Sequence, residues 1–291
     1  MTDKRNSANF INRQSFIELD ARERATALFD PGTSRELLDP FDRVESPWLP
    51  MQGVTPQEDD GCVVMKGKIA GQAAVVVALE GAFQGGSIGE VSGGKMTAAL
   101  DLACADNEKG VRTSAVILLE TGGVRLQEAN LGLAAIAELM ASILALRKHA
   151  PVICLTAGAV GCFGGMSLAA GLASYVVMTR QARLGMNGPE VIEQENGVEE
   201  FDSSDRELIW AIHGGEQRYA TGLADALIDD DTPQIADTIR RFVSIGVPPV
   251  HRSSQVTLYR NRIAKLDTSR QWDPKELRAL WATNGCNEEK R

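Results

Sequence analysis

The chain has 291 residues, 44% of them apolar, with 30 Lys+Arg against 39 Asp+Glu and a formal net charge of −9. That is enough apolar material for a full core in one large domain or two small ones, and the acidic balance speaks against a nucleic-acid binder, which needs a basic stripe. Five separated cysteines (Cys62, Cys104, Cys154, Cys162, Cys286), three scattered histidines (His149, His213, His251), no bilayer-length apolar run and no leader-like N-terminus make disulfides, zinc and membrane insertion unexpected. A cytoplasmic chain is the expectation.

The first dozen residues are polar and read as a mobile end. From Ser15, SFIELDARERATALF spaces Phe16, Leu19, Ala25, Leu28 and Phe29 at near-helical intervals among charges, which predicts a surface helix ending at Asp30-Pro31-Gly32. With the proline-rich stretch through Pro40, Pro47, Pro50 and Pro56, residues 1–60 are expected to form an arm and linker. Cys62 to Leu79 reads as two strands joined at Ala70-Gly71-Gln72, the second apolar enough to be buried on both faces. A glycine-rich loop from Gly81 to Gly94 follows, and then Met96, Ala99, Leu100 and Ala103 recur with helical spacing. Lys95 at the helix entry suits an anionic group. The loop nevertheless fails as a phosphate-binding G-x-x-x-x-G-K-[ST] pattern, because Met96 stands where Ser or Thr must ligate Mg²⁺.

Ser114 to Leu119 is the next expected strand, followed by the pair Gly122-Gly123 and a helix from Leu126 to Lys148 whose buried face carries Leu133, Ile136, Leu139, Met140, Ile143 and Leu144. The same grammar repeats at once. A strand from Val152 to Leu155 leads to a second pair, Gly164-Gly165, and to a helix of small residues, Met166 to Gly171. Strands at Tyr175 to Met178, Arg183 to Met186 and Ala226 to Ile228, and helices opened by Pro189, Ser203 and Pro233, complete a core expected over residues 61–250. Residues 251–291 carry two polar helices, read as an extension on the surface or on a partner. Alternating strands and helices predict an α/β protein with a mainly parallel sheet, and ligands then belong at the carboxyl ends of the strands.

A glycine pair between strand and helix permits positive φ and close approach by a ligand. Backbone N–H groups of Gly122 and Gly123 in the first turn, and of Gly164 and Gly165 in the second, are therefore candidate donors to one oxygen, the two halves of an oxyanion hole. Such turns are also common as plain tight connections.

Four motifs occur in one order: Gly85-Gly86-Ser87-Ile88-Gly89, Thr121-Gly122-Gly123-Val124-Arg125-Leu126-Gln127-Glu128-Ala129, Gly164-Gly165-Met166-Ser167, and Gly188-Pro189-Glu190-Val191-Ile192-Glu193-Gln194. With Ala21-Arg22-Glu23-Arg24 and Asp30-Pro31-Gly32 upstream, they resemble the carboxyltransferase branch of the crotonase superfamily, over roughly residues 20 to 245. Within that branch the chain is most similar to β subunits of biotin-independent malonate decarboxylases. It lacks a four-cysteine ribbon before Cys62 and has length for one crotonase half, not two.

The resemblance implies a crotonase-like (ClpP/crotonase) fold of stacked ββα units. It implies decarboxylation of a malonyl thioester carried on the phosphoribosyl-dephospho-CoA arm of an acyl-carrier subunit, giving acetyl thioester and CO₂ without biotin or metal. The implied partners are a γ subunit with the second crotonase-like domain, the acyl-carrier protein and an acyl-carrier transferase α subunit.

Substrate contacts are expected from Gly86, Ser87, Ile88 and Gly89, and from Arg125 and Gln127. Arg125 has two readings, a clamp on a substrate carboxylate or a partner for a glutamate; Gln127 is a hydrogen-bond donor or a solvated first-turn residue. Glu120 and Glu128 flank the first turn, where salt bridges or helix-end roles are more natural than acid catalysis. Crotonase-type hydratases place a carboxylate just past the second glycine pair, where this chain has Met166, Ser167 and Leu168. The competing readings are a biotin-dependent carboxyltransferase β subunit and a non-catalytic scaffold.

Overall fold

A computed structural model describes residues 13–158, 160–270 and 272–288, with side chains through Trp281; the expected mobile end at residues 1–12 and the Cys286 side chain lie outside that description. Helix α1 (Ala21–Leu28) opens at a capping box between Asp20 and Glu23 rather than at Ser15, since Asp20 accepts from the Glu23 amide and stops the helix extending backwards. It is not a surface helix. Ala25 and Leu28 are fully buried against the sheet, together with Phe16 and Phe29.

Seven strands form one sheet in chain order: β1 (Arg35–Leu37), β2 (Cys62–Ile69), β3 (Gln72–Leu79), β4 (Thr113–Leu118), β5 (Val152–Thr156), β6 (Tyr175–Thr179) and β7 (Ala226–Ile228). The first three are antiparallel, with the expected hairpin turn between Ile69 and Gln72, and β3 to β7 run parallel. Parallel neighbours require crossovers. Helices α2 (Glu90–Glu108), α3 (Leu131–Leu146) and α4 (Gly165–Leu172) supply them between β3 and β6.

Period-two alternation sends side chains of the central strands to opposite faces. Val75, Val77, Ala115, Ile117 and Cys154 meet Met96, Leu100, Ile136, Leu139 and Met166 of the crossover helices. On the other face Val76, Ala78, Val116, Leu118, Ile153 and Leu155 meet α1 and a later helix through Ile235, Ile239 and Phe242. Both faces are covered, as the continuous apolar runs require.

Several boundaries differ from expectation. The glycine-rich loop ends at Gly89, and Gly93 lies inside α2 because a Cβ there would fall 2.4 Å from the Ala135 Cβ of α3. The long helix begins at Leu131, after a 3₁₀ turn at Leu126–Glu128 and a positive φ of 51° at Ala129. Leu133 and Leu144 point outward, 55% and 37% exposed. Arg183 to Met186 makes isolated bridges only, Cys162 to Leu184 and Arg183 to Gly214.

Beyond β6 come α5 (Pro189–Asn196), α6 (Arg206–His213), an unforeseen short α7 (Gly215–Ala220), then α8 (Thr232–Ile245), α9 (Val256–Ala264) and α10 (Pro274–Glu288). Lys95 is buried in α2, where its Nζ donates to the carbonyls of Leu38 and Asp59, so it serves no anion site. Among the described residues no helix is long and apolar enough to cross a membrane.

Candidate active site at the two glycine turns

The loops leaving β3, β4, β5 and β6 stack beside one another at the carboxyl ends of the strands, joined by bridges between Ile88 and Val124, Thr121 and Cys162, and Cys162 and Leu184. This second layer brings the glycine turns together. A Cβ on Gly123 would stand 3.4 Å from the Gly164 Cα, and one on Gly164 would stand 3.2 Å from the Gly123 Cα. Both residues have positive φ, 115° and 63°, so glycine is required here for conformation and for contact.

The donors fall differently from expectation. The N–H of Gly122 donates to the Gly85 carbonyl (2.9 Å), that of Gly123 to Thr121 Oγ1 (3.0 Å) and that of Gly164 to the Met186 carbonyl (2.8 Å). Among the described residues no acceptor meets the N–H groups of Val124, Gly165 or Met166. Gly165 and Met166 open α4, whose first turn leaves N–H groups unpaired by geometry. The glycines thus shape the turns, and of the four expected donors only Gly165 keeps a free N–H. The other free donors are one residue further on.

The loop before α2 is stitched to the first turn by Ile88 N–H to the Gly123 carbonyl and by Arg125 N–H to the Ile88 carbonyl, both 2.8 Å. Gly86 touches the main chain of Glu120 so closely that a Cβ would fall 1.7 Å from its carbonyl oxygen. Gly89 abuts the Glu128 carboxylate, 2.6 Å from a notional Cβ. Ile88 is fully buried, its side chain packed in the core, and Ser87 is half-buried.

Arg125 is the largest fully buried side chain at the site, and of its two readings the structure shows the pairing with a glutamate. Its Nη1 donates to Asp60 Oδ1 (2.6 Å) and Glu128 Oε1 (2.9 Å), and its Nη2 donates to the Ser87 carbonyl (3.0 Å). Two nearby carboxylates leave it no free face for a third. Glu128 also accepts from Ser46 Oγ and the Glu90 N–H; burial pushes its carboxyl up, and these bonds outweigh burial and hold it below its ordinary range. Gln127 is exposed at the rim, its amide 3.4 Å from Gln84 Oε1.

Glu120 makes the salt bridge that was the more natural reading, with Arg24 at 3.6 Å, and has backbone partners besides, while His213 was not singled out at all. Glu120, buried at the end of β4, accepts from the N–H groups of Gly158 (2.9 Å) and Gly161 (3.4 Å). His213, at the end of α6, lies edge-on to Phe163 with centroids 5.9 Å apart, and a Cβ on Gly185 would meet its Nδ1 at 2.4 Å. A lone histidine carries no periodic signal. No group of three His, Cys, Asp or Glu able to hold a metal ion occurs among the described residues.

The family model for the carboxyl transferase domain matches residues 18–280. The chain belongs to the carboxyl transferase domain family. This family member is 39% identical over 288 residues to the malonyl-S-ACP:biotin-protein carboxyltransferase MADC of Malonomonas rubra, covering 94% of this chain and 91% of that protein. It is 56% identical to a chain in the crystal structure of a Pseudomonas malonate decarboxylase hetero-tetramer in complex with malonate, with a TM-score of 0.92 and coverage of 94% and 99%. The transcarboxylase 12S core, at 24% identity and a TM-score of 0.66 over 82% of this chain and 43% of that one, shares the fold. The crotonase-like α/β architecture is that of these carboxyltransferases.

Proposed function

We propose that the chain is the β subunit of a malonate decarboxylase and decarboxylates a malonyl thioester held on an acyl-carrier subunit. The observation that carries this reading is the contact between the two glycine turns, flanked by the unpartnered N–H groups of Val124 and Gly165. When the bond between the α carbon and the carboxylate breaks, CO₂ departs and the electron pair passes to the thioester as an enolate. Negative charge then builds on the thioester oxygen, and a fixed N–H donor in a dry site is worth about 3–4 kcal/mol of barrier. The enolate takes a proton from water and leaves acetyl thioester. No general base is needed, which agrees with Met166, Ser167 and Leu168 after the second glycine pair.

In this reading the thioester sits on the phosphoribosyl-dephospho-CoA arm of the carrier, a γ subunit supplies a second crotonase-like domain, and an α subunit exchanges malonate for acetate on the carrier. The hetero-tetrameric relative supports an assembly of several chains. A second reading has a specific support of its own: the name of the Malonomonas rubra relative specifies a biotin protein as carboxyl acceptor. Avidin separates the two. CO₂ release from malonate by the complex that co-purifies with this chain should persist in excess avidin; avidin-blocked release would move the chain to the biotin-linked reading. A Gly164→Val complex should lose at least about 100-fold in kcat with assembly intact, since the side chain would part the two turns. Normal turnover by that variant would remove the oxyanion assignment.

A further inference from the structure

Glu120 stands between the two turns, and its role goes beyond an end-of-strand salt bridge. One carboxylate oxygen gathers the N–H groups of Gly158 (2.9 Å) and Gly161 (3.4 Å). The other oxygen faces Arg24 Nη1 at 3.6 Å, and Arg24 is itself anchored by the Phe16 carbonyl at 3.0 Å. Gly86 admits no side chain, and one at Gly158 would displace the Glu120 carboxylate. A Cβ at Gly158 would fall 2.1 Å from Glu120 Oε2, and one at Gly86 would fall 1.7 Å from the Glu120 carbonyl.

One residue therefore touches all three loops. Its carbonyl lies against Gly86 of the loop after β3, its backbone starts the first turn, and its carboxylate holds the segment that leads into the second. The neighbouring main-chain bonds, Thr121 N–H to the Gly161 carbonyl (2.8 Å) and Phe163 N–H to the Thr121 carbonyl (3.0 Å), set the register, and the carboxylate closes the other side. These donors and the Arg24 counter-charge replace part of the water that Glu120 loses, while burial still pushes its carboxyl above the ordinary range.

We propose that Glu120 is a positioning residue that sets the spacing of the two glycine turns, and through it the convergence of the Val124 and Gly165 N–H groups on one oxygen. The inference rests on the functional reading above for the identity of that oxygen. Glu120→Gln keeps the shape but presents an NH₂ group to one of the two partner sets. Gly158→Ala pushes a methyl group into the carboxylate and leaves its charge alone.

The test uses the assembled complex with malonyl-coenzyme A as the probe, and reads kcat, KM, Tm and amide hydrogen exchange of the peptide containing Gly158 and Gly161. Both variants should lose about 10- to 100-fold in kcat with KM within about threefold, and exchange in that peptide should quicken while Tm moves little. Wild-type kcat in both variants, or exchange unchanged in both, overturns the inference. If Glu120→Gln does not assemble, Gly158→Ala decides alone. If the wild-type complex releases no CO₂ from malonate either, the functional reading falls, and the exchange measurement still decides whether Glu120 holds the segment.

Discussion

His213 and Arg125 show how burial changes what a residue can do. Burial, and next the nearby Arg218 guanidinium, push the His213 pKa from 6.5 down to about 4. A base whose folded pKa is depressed adds stability that is full above its unfolded pKa and is lost as pH falls through the folded value. That window runs from about 6.5 to about 4 and is worth about 3 kcal/mol. Tm measured between pH 7 and 4 should therefore fall for the wild type by several degrees more than for His213→Gln. Equal slopes would mean that the ring is solvated. For Arg125 the expected effect is on folding rather than on substrate affinity. Arg125→Met leaves Asp60 and Glu128 as buried, uncompensated carboxylates and should lower stability by about 3–5 kcal/mol in urea melts.

At the scale of elements, α2 and α3 cross where Gly93 of one meets Ala135 of the other. Gly93→Ala would gain helix propensity of about 1 kcal/mol, yet its Cβ would lie 2.4 Å from the Ala135 Cβ. Overpacking should win, with a net loss of about 1–3 kcal/mol in denaturant unfolding, and a Gly93→Ala/Ala135→Gly double variant should recover most of it. A glycine inside a helical pattern reads locally as a loop, which is why the loop was expected to run to Gly94. The Ala135 that explains it lies 42 residues away on another helix.

For the whole molecule, the turns open beside exposed apolar side chains: Leu126 is 85% exposed, Leu168 52% and Met186 54%. An enolate is stabilised well only where water is excluded. Under the proposed function the isolated chain should release CO₂ at no more than about a hundredth of the rate of the assembled complex. Full activity of the chain alone would show that it closes its own site.

The sequence by itself determined the hairpin from Cys62 to Leu79, the parallel strands, the crossover helices and the two glycine turns. Each rests on local periodicity or on a glycine at a strand end, and neighbours in the chain are enough to specify it. Which N–H groups remain free was decided only by the tertiary structure. Gly122 donates to Gly85 and Gly164 to Met186, acceptors on other loops, so of the expected donors Gly165 alone keeps a free N–H and Val124 adds one that was not expected. Arg125 likewise met Asp60, 65 residues away, and the carboxylate of Glu120 met N–H groups of the loop after the next strand. A hydrogen bond forms between atoms that folding brings within about 3 Å, and spacing along the chain carries no record of those distances.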